Sequence, residues 1–242
     1  MTKSAFIAGA IILLLAGVVP PTAEADRKQR WDNSVALGLN LTSGNSDTVL
    51  LTLELMTERE YEHDFWRLGA TAAYGETEGG KTTQRARGFG EYQRLLNERW
   101  YVGANADLIH DDVADVNYRL TLSPVTGYYF IKSDRTRLSG EMGPSFVFEK
   151  TGGDEQQYIS LRFAERFEHQ FNERAKVWQS AEIFPQVDDW ENFLLRAEVG
   201  AEAALNAQLS LRAVLRNEYD NQPPPDRKRN DLTLTSALVY KF

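Results

Sequence analysis

From Trp31 to its last residue the chain alternates apolar with polar or small side chains, one segment after another. In the final stretch, Asp231 to Phe242, one parity holds Leu232, Leu234, Leu238, Tyr240 and Phe242, interrupted by Ser236. The other parity holds Asp231, Thr233, Thr235 and Lys241, with Ala237 and Val239 between them. A period of two is that of a strand with one apolar face. A soluble sheet buries that face. A terminal Phe after alternating apolar residues fits instead a barrel that closes its last strand on its first and seats its final aromatics in the membrane interface. Taken alone, the segment also fits a half-buried strand that ends a soluble sheet.

The start of the chain narrows the choice. Lys3 precedes an apolar run from Ala5 to Val19, followed by Pro20, Pro21 and Ala23-Glu24-Ala25. A basic start, an apolar centre and an Ala-x-Ala site make residues 1–25 a secretory signal peptide, cut after Ala25. The run is shorter than the ~20 residues of a spanning helix. Residues 26–242 then form the mature unit, with Asp26 to Arg30 as a short periplasmic lead. The signal segment removes one Lys and one Glu, so the net charge stays at −8. An acidic balance gives no clustered positive charge for a nucleic-acid partner. With no cysteine, an exported chain has neither disulfides nor thiolate metal sites.

Turn signals divide the mature chain into six hairpins. Ser43-Gly44-Asn45-Ser46 turns the first and Glu76 to Gly80 the second. Asp111 to Asp115 turns the third, Lys150 to Asp154 the fourth. The fifth loop carries Asp188, Asp189 and Trp190, and Asn221 to Asp226 joins the last pair. The expectation is an all-β, transmembrane, antiparallel up-and-down barrel of about twelve strands, each of roughly ten to thirteen residues. Phe193 to Leu205 has helix-friendly composition, yet Arg196, Glu198, Gly200 and Glu202 fall at every second position, which a helix would scatter. Aromatics sort to both strand ends, with Trp66, Tyr92, Trp100, Phe130, Phe167, Trp178, Tyr240 and Phe242 on an inner rim. Tyr74, Tyr118, Phe148, Phe193 and Tyr219 form an outer one. Loops of similar length on the two sides run against the membrane reading. Pro124 and Pro144 predict a bulge or gap where they face each other, because proline donates nothing to the ladder.

The first hairpin also carries a recognisable element. Gly38-Leu39-Asn40-Leu41-Thr42-Ser43-Gly44-Asn45-Ser46-Asp47-Thr48, preceded by Trp31, resembles the opening of a salt-induced outer-membrane protein family catalogued as a domain of unknown function. The motif residues are Thr42, Gly44, Asn45, Ser46, Asp47 and Thr48, and the rest of the likeness is looser barrel pattern. The resemblance implies a Gram-negative outer-membrane barrel linked to osmotic or salt stress and brings no substrate or catalytic residues. Physically, Gly44 and Asn45 tolerate positive φ, and Ser46 and Asp47 can bond the turn backbone. A tight outer hairpin and a ligand or cation contact are both compatible with that.

Function belongs to the inward parity. There the register places Arg67, Arg85, Arg87, Glu91, Asp107, Arg119, Glu141, Arg162, Arg196, Glu198, Arg212 and Arg216 as lumen-lining. Glu54, Arg137, Glu182, Glu202 and Glu218 share that face. The signs nearly balance, and ion pairs between neighbouring strands are the plain expectation. Twelve strands enclose a backbone radius of roughly 12 Å, which long arginines narrow to a small-solute pore or shut. No outer loop is long enough to serve as a plug. A narrow polar pore for small solutes or ions is favoured over a closed structural barrel whose outer loops meet lipopolysaccharide or a partner. An outer-membrane hydrolase is a third reading: His110 could meet Asp111, Asp112, Asp188 and Asp189 at the mouth. His110 nevertheless faces Tyr118 and Leu120 without a serine, so no enzyme is expected. No cofactor motif appears. Expected partners are outer-membrane lipid, lipopolysaccharide, and the barrel-assembly machinery through Phe242.

Overall fold

The computed structural model describes residues 30–42, 48–77, 80–223 and 228–242. The signal segment 1–25 and the motif residues Gly44, Asn45, Ser46 and Asp47 lie outside them. Twelve strands follow one another: β1 (Asp32–Thr42), β2 (Thr48–Tyr61), β3 (Asp64–Thr77), β4 (Gly80–Leu95), β5 (Trp100–Asp111), β6 (Val116–Lys132), β7 (Thr136–Thr151), β8 (Asp154–Asn172), β9 (Ala175–Pro185), β10 (Phe193–Ala204), β11 (Leu209–Asp220) and β12 (Asn230–Lys241). Each pairs antiparallel with its sequence neighbours, and β1 pairs with β12 to close the ring. This is the expected up-and-down barrel, and Phe193 to Ala204 is a strand within it. Closure is what an apolar surround demands, since an open edge would leave backbone groups unpaired in hydrocarbon.

Alternation decides which side of the wall each residue meets. Leu37, Leu39, Leu51, Leu53 and Leu55 point outward and are exposed, as are Leu211, Leu215, Leu234 and Leu238. Their inward neighbours Ala36 and Val239 are buried. A continuous exposed apolar band is unstable in water and suits lipid. The row is broken at Glu165, whose carboxylate accepts from the Gln179 amide on the same outer face. Trp66 and Tyr92 pack at a tilt at one rim with centroids 4.3 Å apart, and Phe193 stacks with Tyr219 at the other, 5.7 Å apart.

The strands reach further than the sequence pattern, from 11 residues in β1 to 19 in β8. Besides register shifts at strand ends, two features shape the wall. β6 and β7 pair at Leu122 with Phe146 and again at Thr126 with Met142, but not between. Pro124 and Pro144 face each other across that lapse, as their missing donors require. Gly143 lets the strands close there, because a Cβ would lie 2.1 Å from the Pro124 carbonyl oxygen. The hydroxyls of Ser123 and Ser145, both buried, bridge the gap at 2.5 Å. The second is the short closing seam: β1 and β12 pair from Ser34 with Lys241 to Gly38 with Ala237, and two backbone bonds between Asn33 and Phe242 extend it at the terminal end.

Candidate functional site

The lumen is lined by charge and divided in two. The chamber nearer the chain termini has a volume of about 390 Å³, and the one nearer the longer loops about 610 Å³. Both are bounded by Glu54, Thr71, Arg87, Arg196, Arg212, Val214, Arg216 and Glu218, which form a partition between them. The structure places all twelve charged residues singled out by parity on this lumen wall. Arg67, Glu91, Asp107, Glu141, Arg162 and Glu198 line the terminal chamber. Arg85 and Arg119 line the loop chamber, and Arg87, Arg196, Arg212 and Arg216 stand in the partition.

Pairing between neighbouring strands accounts for part of this charge. Arg87 Nε donates to Asp107 at 2.5 Å, and Arg216 Nη2 to Glu198 at 2.6 Å. Arg162 bonds Glu141 and Glu182 at 2.5 and 2.6 Å, and Arg119 pairs with Glu149. Arg67 holds Glu58 at 2.5 Å and Glu91 at 3.0 Å.

Other pairs correct the neighbour-only expectation, for they cross the lumen. Arg85 on β4 grips Glu218 on β11 with two bonds, Nη2 donating at 2.9 Å. Arg196 on β10 reaches Asp107 on β5 at 3.2 Å, and Arg119 on β6 lies 3.6 Å from Asp220 on β11. Arg137 on β7 meets Glu60 on β2 at 3.3 Å. Each of these joins strands five steps apart around the ring. Arg212 on β11 pairs with Glu202 at 2.9 Å and also with Glu54 on β2, three steps away. In a circular section of roughly 12 Å radius, strands five steps apart stand about 23 Å apart. An Arg–carboxylate pair spans only about 15 Å between Cα atoms. The barrel is therefore flattened, with the walls carrying β4–β5 and β10–β11 drawn together.

Val113, Ala114, Pro223, Lys228 and Arg229 line the loop chamber, so loop residues narrow its mouth, and among the described residues none plugs the lumen. The proposed acidic mouth cluster does not assemble. Asp111 caps the Val113 and Ala114 amides, and Asp112 meets Lys81 and His110, each at 3.3 Å. Asp188 accepts from Gln186 and Asp189 from Gln222, within a separate loop group. Of the first-hairpin motif, Thr42 and Thr48 are described, as a register pair.

Trp178 is a correction of another kind. It faces the terminal chamber rather than lipid. Its indole Nε1 donates to Glu198 at 2.7 Å, and it packs on Gly200, where a Cβ would fall 2.1 Å from a ring carbon. Trp178 shares the parity of Glu182, so the alternation carried the signal; sorting aromatics to the rims obscured it. Arg166 and Lys176, also on this chamber wall, were likewise not singled out.

A search of curated protein sequences finds no match. Among solved structures, an outer-membrane channel from Pseudomonas putida F1 superposes with TM-score 0.53 at 11% identity, covering 92% of this chain and 100% of that one. The NanC porin gives 0.49 at 9% identity over 88% and 98%, and the KdgM porin 0.49 at 8% over 88% and 99%. The first of these shows a shared fold. The model of the family described as protein of unknown function, DUF481, matches residues 35–242, nearly the whole barrel, and the chain belongs to that family.

Proposed function

We propose that the protein is a narrow polar pore of the outer membrane, closed at mid-height by ion pairs and admitting small solutes or ions when they part. The observation that carries this reading is the partition itself. Two charge-lined chambers, one toward each mouth, are separated by side chains alone. Arg and Glu side chains exchange rotamers fast compared with backbone rearrangement, so opening needs no movement of the wall. The balanced signs support passage without strong preference for one charge, since a selective channel shows a ring of like charge. That the Pseudomonas putida barrel is described as a channel agrees with this. The likeness to salt-induced outer-membrane proteins supports a part in osmotic adjustment, with residues 1–25 serving export and Phe242 addressing the assembly machinery.

Purified protein in planar bilayers is expected to give small, discrete conductance steps, and proteoliposomes to swell in the smallest sugars only. Silent recordings from the native protein and from a Glu54→Gln/Glu218→Gln variant alike would overturn the pore. The ion pairs that span the lumen favour one second reading, a closed structural barrel, and silence would select it.

A further inference from the structure

Every lumen arginine described above in an ion pair meets a carboxylate across or along the wall. Arg166 and Lys176 stand apart: both line the terminal chamber, and neither forms an ion pair among the described residues. Glu58, Glu91, Glu168 and Glu198 lie within electrostatic reach of Arg166, yet none comes within salt-bridge distance, and Glu198 is held by Arg216. Glu58 and Glu91 are already held by Arg67. A half-buried guanidinium with no carboxylate in contact is costly beside so many satisfied ones.

The two free cations flank one aromatic. On the adjacent strands β8 and β9, Arg166 pairs in register with Ser180, next to Trp178 on the inward face, and Lys176 follows on the other side. The Lys176 ammonium lies 5.7 Å from the indole centroid and the Arg212 guanidinium 5.8 Å, the latter from the partition side. Glu198 and Gly200 fix the indole against the wall, so the surface it keeps free looks into a chamber of about 390 Å³. That volume is of ligand-pocket size. A held aromatic surface takes the apolar side of a ring, and an unpaired guanidinium takes a carboxylate through two parallel bonds.

We infer that the terminal chamber is a binding site for a small solute bearing a carboxylate on a ring. The ring lies on Trp178 and the carboxylate between Arg166 and Lys176. The site opens to the terminal mouth, so occupancy does not require the partition to part, and it stands whether or not the barrel conducts.

The test uses the full barrel in detergent, titrated by calorimetry and by tryptophan fluorescence with glucuronate, benzoate, glucose and acetate. Glucuronate or benzoate, or both, bind, and the pair of results separates a sugar acid from an aromatic acid. Arg166→Gln weakens that binding about tenfold or more, as loss of a charge-assisted pair does. Lys176→Gln weakens it several-fold, and Trp178→Phe abolishes the fluorescence change while calorimetry still detects ligand. Unchanged heat-modifiable migration on gels verifies that each variant is folded. No binding of either ring acid, equal binding of glucose or acetate, or full affinity in Arg166→Gln would overturn the assignment.

Discussion

The partition is held by single side chains whose removal has separable effects. Arg85 and Glu218 retain 24% and 20% side-chain exposure, so lumen water screens their pair. Glu218→Gln leaves Arg85 with Asp111 at 3.9 Å as its remaining carboxylate. The variant is expected to raise single-channel conductance and to cost about 1–2 kcal/mol of stability, less than the ~3–5 kcal/mol of a fully buried pair. Thermal unfolding followed by gel migration measures the second quantity. At Gly200 the wall has no space for a side chain beneath Trp178. Gly200→Val should displace the indole at a cost of about 1–3 kcal/mol and change its fluorescence, a substitution effect opposite to the usual gain of strand propensity.

At the level of strands, β6 and β7 lose pairing in mid-wall, whereas the register shifts of β3–β4, β5–β6 and β8–β9 lie at strand ends. The Ser123–Ser145 bond stands in for the pairing that Pro124 and Pro144 forgo. Ser145→Ala is expected to lose about 1 kcal/mol, and hydrogen exchange at Leu122 and Thr126, whose amides border the lapse, to quicken in that variant. The lapse was legible in the sequence because proline has no donor to give, wherever the sheet places it. Strand order and the inward parity of residues such as Arg67 and Arg196 were legible for a similar reason: a period of two leaves only two faces. Partnership across the lumen was not. Parity assigns Arg85 and Glu218 to the same interior without saying that β4 and β11 approach, because the flattening that brings them together belongs to the closed section. Trp178 was misplaced because rim aromatics and lumen aromatics have the same composition and differ only in phase.

For the molecule as a whole, the closed state depends on charges that added salt screens. The Debye length falls to about 3 Å at 1 M from about 10 Å at 0.1 M, and pairs in contact with lumen water weaken accordingly. Conductance measured at 0.1 and 1 M salt should therefore rise more than in proportion to the salt, and the Glu218→Gln variant should show a flatter dependence; strict proportionality in the native protein would count against the partition as the gate. The short row of bonds between β1 and β12 bears on a different load. Tension in a stretched bilayer loads the wall around its girth, and a hoop parts at its shortest fastening. Five register pairs, Ser34 to Gly38 against Ala237 to Lys241, and the two backbone bonds between Asn33 and Phe242 hold this one shut, while every hairpin elsewhere is bonded over a longer run. A tear would begin above Gly38, at the loop end, and travel toward the chain termini with all six hairpins still folded.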